Sequence, residues 1–436
     1  MLITPVKLGT DEGDAVLERI LDRFQLADAE CAGTVAQIIK NVAGQGDEAL
    51  VDYGRRFDCP GLTIETLKVT SEELRAAYDE VDEKTLGSIK AAVERIWNFH
   101  EREMEDSWLQ TRDDGTVVGR LVRPVDSAGL YVPGGTGGST PLVSSVLMNG
   151  IPASIAGVGR RVMVTPPGKD GKVSPFLLVA AQEIGISDIY RAGSAWGIAA
   201  LAWGTESIPK VDVIVGPGNQ FVAEAKKQVS GMVRIDMIAG PSEVLIVADA
   251  NAVPAHVAAD MLAQAEHDPQ ALALLLTTDE TLPEKVLAEL EKQLPVLSRE
   301  KIARTSLTER GAMMIVKDLE EAIRLANDIA SEHLELDIVN PWEQIPFIRH
   351  AGAIFLGANS PEAAGDYFAG PNHVLPTMGT ARFASSLGVE TFLKKCSIIS
   401  YSRQAIENDA EDIMRLAHLE GLDAHANSVK VRLNHD

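Results

Sequence analysis

Glu332 and His333 are adjacent in the segment Ser331-Glu332-His333-Leu334-Glu335-Leu336, where a helical pattern runs into a strand-like one. A carboxylate beside an imidazole offers two bases at one place, which suits a reaction with successive proton removals. His333 falls just past the predicted helix end. There the helix dipole favours imidazolium, and an imidazole can accept a proton at neutral pH. The same position also reads as a histidine that merely satisfies helix carbonyls. A second cluster is Gln264-Ala265-Glu266-His267-Asp268. The predicted helix 254–267 has Ala258, Met261, Leu262 and Ala265 as its apolar face. Gln264 and His267 stand at i and i+3 on one flank, so the two can share a cation. They do not by themselves close a zinc shell, which has about four positions, and they also read as an ordinary polar helix end. Further donors must come from distant segments. Asp366 and His373 in the Gly/Pro-rich stretch 365–373 qualify, as do the acids and imidazoles of 418–425, which end at His425. A Gln/His/Asp/His shell has no sulfur and suits zinc, manganese or cobalt. His100, His256, His350 and His435 have no such company and read as structural or surface residues.

Three glycine-rich turns follow predicted strands: Tyr131-Val132-Pro133-Gly134-Gly135-Thr136-Gly137-Gly138-Ser139, Val215-Gly216-Pro217-Gly218-Asn219 and Ala239-Gly240-Pro241-Ser242-Glu243. Backbone amides in such turns can cradle an anion, and turns at strand ends are where α/β sheets bind ligands. None has the G-x-G-x-x-G spacing, so tight turns account for the glycines equally well.

The elements that must position these residues divide the 436-residue chain into several parts, too long for one ordinary core. Residues 1–115 read as a helical N-terminal region, with Leu17, Ile20, Leu21 and Phe24, and Ile89, Ala92, Ile96 and Phe99, at helical spacing. From 116 to 238, and again from 239 to 380, short apolar runs alternate with helical stretches. That alternation predicts an α/β fold of two doubly wound, Rossmann-like parallel-sheet units. Residues 381–436 read as a short helical tail. A net charge of −23 argues against nucleic acid or an anionic membrane as partner. Cys31, Cys59 and Cys396 are odd in number and far apart, as expected of buried free thiols in a reducing cytoplasm. No signal-like segment opens the chain, and no apolar run approaches the roughly 18 residues of a membrane span.

The segments Leu130 to Gly135, Val215 to Asn219, Ile235 to Glu243, Gln264 to Asp268, Ser331 to Leu334 and Gly365 to Pro376, with Glu420-Gly421-Leu422-Asp423-Ala424-His425 after them, follow the order of the histidinol dehydrogenases. The chain resembles that family over nearly its whole length. The resemblance implies a zinc-dependent, NAD-linked, four-electron oxidation of L-histidinol through L-histidinaldehyde to L-histidine, by a homodimer whose tail reaches the partner's site. It implies zinc ligands at Gln264, His267, Asp366 and His425, and Glu332 and His333 as the acid–base pair. Substrate contacts would be Ser242, Glu362, His373 and Glu420, together with His333 and the zinc ligands. Tyr131 and Asn219 would contact NAD. At Trp196, in Gly193-Ser194-Ala195-Trp196-Gly197, the family commonly has Gln. An indole offers no carbonyl acceptor but can stack on a ring, so Trp196 is expected as an altered cofactor contact.

Three other readings compete with this one. A same-fold enzyme oxidising another alcohol, such as a sulfopropanediol dehydrogenase, would need cationic partners for its sulfonate, and Glu362 and Glu420 would repel one. A zinc hydrolase is disfavoured by the lack of a His-Glu-x-x-His helix. A non-catalytic two-lobed binding protein would need no base pair beside a metal set.

Overall fold

The computed structural model describes residues 2–23, 29–134 and 140–433; Phe24, Gly135 to Ser139 and His435, named above, lie outside them. Two parallel sheets organise the chain. In the first, strand Ser127–Tyr131 lies at the centre. Arg160–Thr165 and then Asp188–Arg191 lie to one side of it, and Val213–Val215 and then Arg234–Ile235 to the other. In the second, Glu243–Ala248 is central, with Leu272–Thr277 and Ala312–Ile315 on one side and His333–Asp337 and Ala353–Leu356 on the other. Each chain therefore starts in the middle of its sheet and winds outward both ways, leaving a switch point beside the first strand. Runs such as Leu272–Thr277 are buried along their whole length, as strands covered on both faces must be.

The second sheet has a sixth strand from an unexpected source. Val6–Lys7, in the region read as helical, pairs in parallel with Met314–Ile315. The tail also departs from its reading. Leu393–Ser400 is a strand, antiparallel to Val117–Pro124, which pairs in turn with Trp108–Thr111. Leu393–Ser400 pairs with residues far upstream, which leaves no trace in local periodicity, whereas Trp108–Thr111 and Val117–Pro124 form a local hairpin that departs from the helical reading of 1–115. Cys396 is exposed on that strand, whereas Cys31 and Cys59 are buried as expected. Two helices, Arg403–Leu419 and Asp423–Leu433, then close the described chain. Of the N-terminal stripes, Ile20, Ile89, Ala92 and Ile96 are buried, but Leu21 and Phe99 are exposed. No helix among the described residues is long and apolar enough to cross a membrane.

The two sheets meet edge to edge. Strand Arg234–Ile235 ends at the carboxyl edge of the first sheet, and segment 236–242 delivers the chain to the amino end of Glu243–Ala248. Segment 372–377 bridges the same gap. Asn372 Nδ2 donates to Met148 O in helix Val143–Ile155 (2.8 Å), and Gly240 N donates to Thr377 Oγ1 (2.6 Å).

Candidate active site

Helix Leu319–Ile329 starts on Asp318, whose carboxylate accepts from Glu321 N, and buries Ala322, Ile323, Leu325, Ala326 and Ile329. It stops at Ala330, which is left-handed (φ 50°), and three residues later His333 begins a strand. The stop places Glu332 and His333 at the amino edge of the second sheet, next to the first residue of its central strand. A side chain on Gly352 would sit 2.5 Å from Glu332 O, so only glycine lets the neighbouring strand approach here.

Glu243 organises the pair. Its backbone N–H donates to Glu332 Oε2 (2.8 Å), and its carbonyl accepts from His333 Nδ1 (3.0 Å). Its own carboxylate is held by Arg23, at 2.5 Å from Nε and 2.8 Å from Nη2, and both side chains are almost wholly buried. A His333 that donates through Nδ1 carries its lone pair on Nε2, the tautomer a base requires. The expectation that the helix dipole would favour imidazolium is overturned. Burial, reinforced by His267 and His373, lowers the His333 pKa to about 3, so the ring is neutral at pH 7. Burial, together with the charges of Glu243 and Asp366, raises Glu332 well above the usual carboxylate range.

Gln264 is fully buried near the end of helix Pro254–Ala265, which runs back from the central strand to the same edge. With its amide nitrogen turned toward the acceptors around it, Gln264 donates to Glu362 Oε2 (3.1 Å) and Glu243 O (3.2 Å). Its carbonyl oxygen, the end able to bind a cation, is then not used by those groups. Glu362 and Asp366 stand at i and i+4 on the short helix Glu362–Tyr367. Ligand atoms of His267, Glu362 and Asp366 all lie within 4.8 Å of one another. Glu362 Oε1 is 3.8 Å from His333 Nδ1. Burial and the neighbouring carboxyls raise Glu362 well above the usual range, and burial lifts Asp366 to about 6 against the pull of His267. Ser242 hydrogen-bonds Glu332. The His373 Nε2 is buried without a partner, and burial pushes that ring down to about 4.

Gln264, His267, Glu362, Asp366, Glu332, His333 and Ser242 thus converge, with His373 close enough to act on His333. Glu420 and His425 do not join them. Both are exposed in the C-terminal helical hairpin, where His418 pairs with Asp423 (3.1 Å). Two groups at this edge escaped the sequence reading. Glu243 is one, and an acid at the head of an otherwise apolar buried strand is the signal that pointed to it. The other is Glu335, whose Oε1 accepts from Glu362 N (3.1 Å) and whose pKa is raised to about 9 by burial and by Asp260.

The remaining candidates lie on the first sheet's carboxyl edge. The Tyr131 hydroxyl accepts from Ser194 N (3.1 Å). Gly216 (φ 116°) passes so close to Tyr131 O that a side chain on it would clash at 2.1 Å. That turn is clamped from below: Lys226 Nζ donates to Gly216 O (2.9 Å) and pairs with Asp236, which accepts from Gly216 N (2.8 Å). Asn219 Oδ1 caps helix Gln220–Val229, accepting from Phe221 N and Val222 N. Trp196 is buried and stacks on Tyr53 (5.7 Å between centroids) and Phe57 (5.6 Å). Its ring faces are thus engaged within the protein.

The family model described as histidinol dehydrogenase matches residues 21–433. A histidinol dehydrogenase of Desulfotalea psychrophila is 71% identical over 99% of this chain and 100% of that one. One of Nitratidesulfovibrio vulgaris is 56% identical over 91% of each. The crystal structure of a histidinol dehydrogenase from Elizabethkingia anophelis superposes with a TM-score of 0.92 at 36% identity, covering 99% of this chain and 98% of that one. On this match over nearly its whole length, the chain belongs to the histidinol dehydrogenase family.

Proposed function

We propose that the chain oxidises L-histidinol, through bound L-histidinaldehyde, to L-histidine with NAD as oxidant, in the last steps of histidine biosynthesis. The observation that carries this is the placement of Glu332 and His333 on the backbone of Glu243, beside the clustered N and O donors of His267, Glu362 and Asp366.

The donor set fits a dication. Burial raises the carboxyls of Glu332, Glu362 and Asp366, and the charge of Asp366 raises the first two further, an arrangement that a positive charge in their midst relieves. Gln264, His267 and Asp366 would hold zinc, with His425 arriving from the partner's tail. When bound, zinc fixes the substrate's imidazole and so serves as a template. His333 Nε2 takes the hydroxyl proton of the alcohol as its carbon gives up hydride to NAD. Glu332 then takes a proton from water as the water oxygen joins the aldehyde carbon and His333 returns its proton to the carbonyl oxygen, which leaves the imidazole free to act once more. His333 acts again on the hydrate hydroxyl as the second hydride departs, leaving the carboxylate. Ser242, Glu362, His373 and the tail's Glu420 hold the amino alcohol, the two glutamates facing its cationic groups. Keeping the aldehyde in place between steps prevents its loss to solvent. Tyr131 and Asn219 line the NAD side.

The exposed Glu420 and His425 support a homodimer in which each tail completes the other site. Cys31, Cys59 and Cys396 form no disulfide among the described residues, which supports a reducing cytoplasm. The test is stoichiometric. Purified protein with zinc, NAD and L-histidinol yields two NADH per histidine. No histidinol oxidation, or turnover only of a sulfonated diol, overturns the reading.

A further inference from the structure

The first sheet's carboxyl edge holds a half-buried acid that the reaction above does not use. Asp58 ends helix Asp47–Phe57, its amide bonded to Gly54 O (2.9 Å). Its Oδ2 is buried and has no hydrogen-bond partner. Burial alone raises this carboxyl to about 7, with no nearby cation to offset it.

Its location is specific. A side-chain carbon on Gly193 would lie 3.2 Å from Asp58 Oδ2 and 2.9 Å from Pro166 Cβ. Gly193 follows strand Asp188–Arg191 and begins helix Ser194–Trp203, and Pro166 follows strand Arg160–Thr165. The carboxylate is therefore lodged where the carboxyl ends of two adjacent strands meet. Its charge also acts on Tyr131, at the end of the central strand. Two further polar atoms at this edge are buried without partners. They are Thr165 Oγ1, at the strand end, and Trp196 Nε1, one helical turn beyond Gly193.

In doubly wound dinucleotide folds, an acid about 20 residues past the glycine turn accepts from the adenosine ribose. This chain has no Asp or Glu between Gly134 and Lys169. Asp170, the next acid, is spent on a surface turn, where it accepts from Lys172 N. The sheet's own connections thus lack the ribose acceptor, while the helical N-terminal region delivers an unpartnered carboxylate to the same edge.

We propose that Asp58 accepts the hydroxyls of the adenosine ribose and, by excluding a 2′-phosphate, makes this site choose NAD over NADP. A neutral ribose diol can hydrogen-bond a buried carboxylate, whereas a phosphate dianion placed there meets like charge in a desolvated setting. The inference rests on the reading that NAD binds at the first sheet. It adds a residue to that reading rather than restating it.

The test is calorimetric titration of NAD and NADP into the full-length, zinc-loaded protein and into its Asp58→Asn and Asp58→Ser variants. Loss of a hydrogen bond to a charged group weakens NAD by about 10- to 100-fold. The KM for NAD rises by a similar factor with kcat largely kept. In Asp58→Ser, the preference for NAD over NADP falls to within about threefold, because the repulsion is gone while the phosphate gains room. Removing an unpaired half-buried acid does not lower thermal stability, so the variants' melting temperatures match or exceed that of the parent. NAD dissociation constants within twofold of the parent in both variants overturn the assignment. So does a lowered melting temperature with unchanged selectivity. If the parent itself binds no NAD, the underlying functional reading has failed instead.

Discussion

The most exacting consequence of the site concerns Arg23 and Glu243, neither of which touches the reaction. Glu243 supplies the backbone donor to Glu332 and the backbone acceptor to His333, and Arg23 fixes Glu243 in turn. Arg23 also donates to Ile20 O (3.0 Å) and Ile329 O (2.8 Å), tying the end of the first helix to the helix that leads into the base pair. Both charges are buried. Arg23→Met therefore strands a desolvated carboxylate, at a cost of about 3–5 kcal/mol. At ~2–4 °C per kcal/mol for a unit of this size, the melting temperature falls by roughly 10 °C. Catalysis suffers too, because an unpaired Glu243 moves toward water and takes both bases with it. A displacement of about 1 Å at such a site is worth on the order of 100-fold in kcat. Arg23→Met with Glu243→Met removes the stranded charge, and a hydrophobic pair of similar volume is near neutral in stability. The assay is a double-mutant cycle read by thermal unfolding and by NADH production from histidinol. The expected pattern is two damaged single variants and a double variant that recovers most of the stability, with a coupling of about 2 kcal/mol or more. Additive losses, or an Arg23→Met protein within 1 kcal/mol of the parent, would refute the reasoning.

Three further outcomes follow from the same edge. Glu335 keeps its proton in the fold up to about pH 9 but releases it above about 4.5 when unfolded. Its contribution is intact below pH 4.5 and is lost as pH climbs toward 9, with a slope of up to about 1.4 kcal/mol per unit. The melting-temperature advantage of Glu335→Gln should widen steadily from pH 5 to 9, and a constant gap contradicts the buried, protonated acid. Asp366 takes up a proton below about pH 6 in the metal-free site, so zinc affinity, read with a chromophoric chelator, falls about tenfold per unit below that point. Flat affinity between pH 5 and 7 argues against Asp366 as a ligand. Mixing inactive Glu332→Gln and His425→Ala proteins should restore activity, since exchange leaves one of the two sites in each mixed dimer with both groups intact. Absence of rescue places the whole site within one subunit.

Much of this was legible in the sequence because the relevant signals are local. Buried parallel strands announce themselves as apolar runs between turns, as Leu272–Thr277 does, whereas the edge strand Ala353–Leu356 has the same apolar run without being buried. The i, i+3 spacing of Gln264 and His267 was visible too, although the helix expected over 254–267 stops at Ala265 and His267 stands in the turn beyond it. What was not legible depends on residues brought together from afar. The strand Leu393–Ser400 has partners more than 260 positions upstream. Val6–Lys7 is too short to carry a pattern and exists only because Met314–Ile315 offers an edge. The protonation state of His333 was misjudged for a related reason. A helix end is a local feature, but the burial that dominates the pKa comes from the helices and strands packed around it. The stacking of Trp196 on Tyr53 and Phe57, far upstream, was likewise not legible from its neighbours in the chain.

The location of the base pair has a structural logic of its own. Open α/β sheets bind ligands beyond the carboxyl ends of their strands, yet Glu332, His333 and Gln264 gather at the amino edge of the second sheet. They can do so because the first sheet presents its carboxyl edge to the same gap. The contact chain is short. Tyr131 O accepts from Asn149 Nδ2 (3.1 Å), the adjacent Met148 O accepts from Asn372 Nδ2 (2.8 Å), and Asn372 precedes His373. In the proposed reaction one unit would supply the edge suited to a dinucleotide, and the other the bases and metal donors. A hydride acceptor on the first sheet and a proton acceptor on the second can then address one carbon from opposite sides. An enzyme that must remove hydride and proton from the same alcohol, twice, needs that division. Two doubly wound units joined carboxyl edge to amino edge provide it without moving either group between the oxidations.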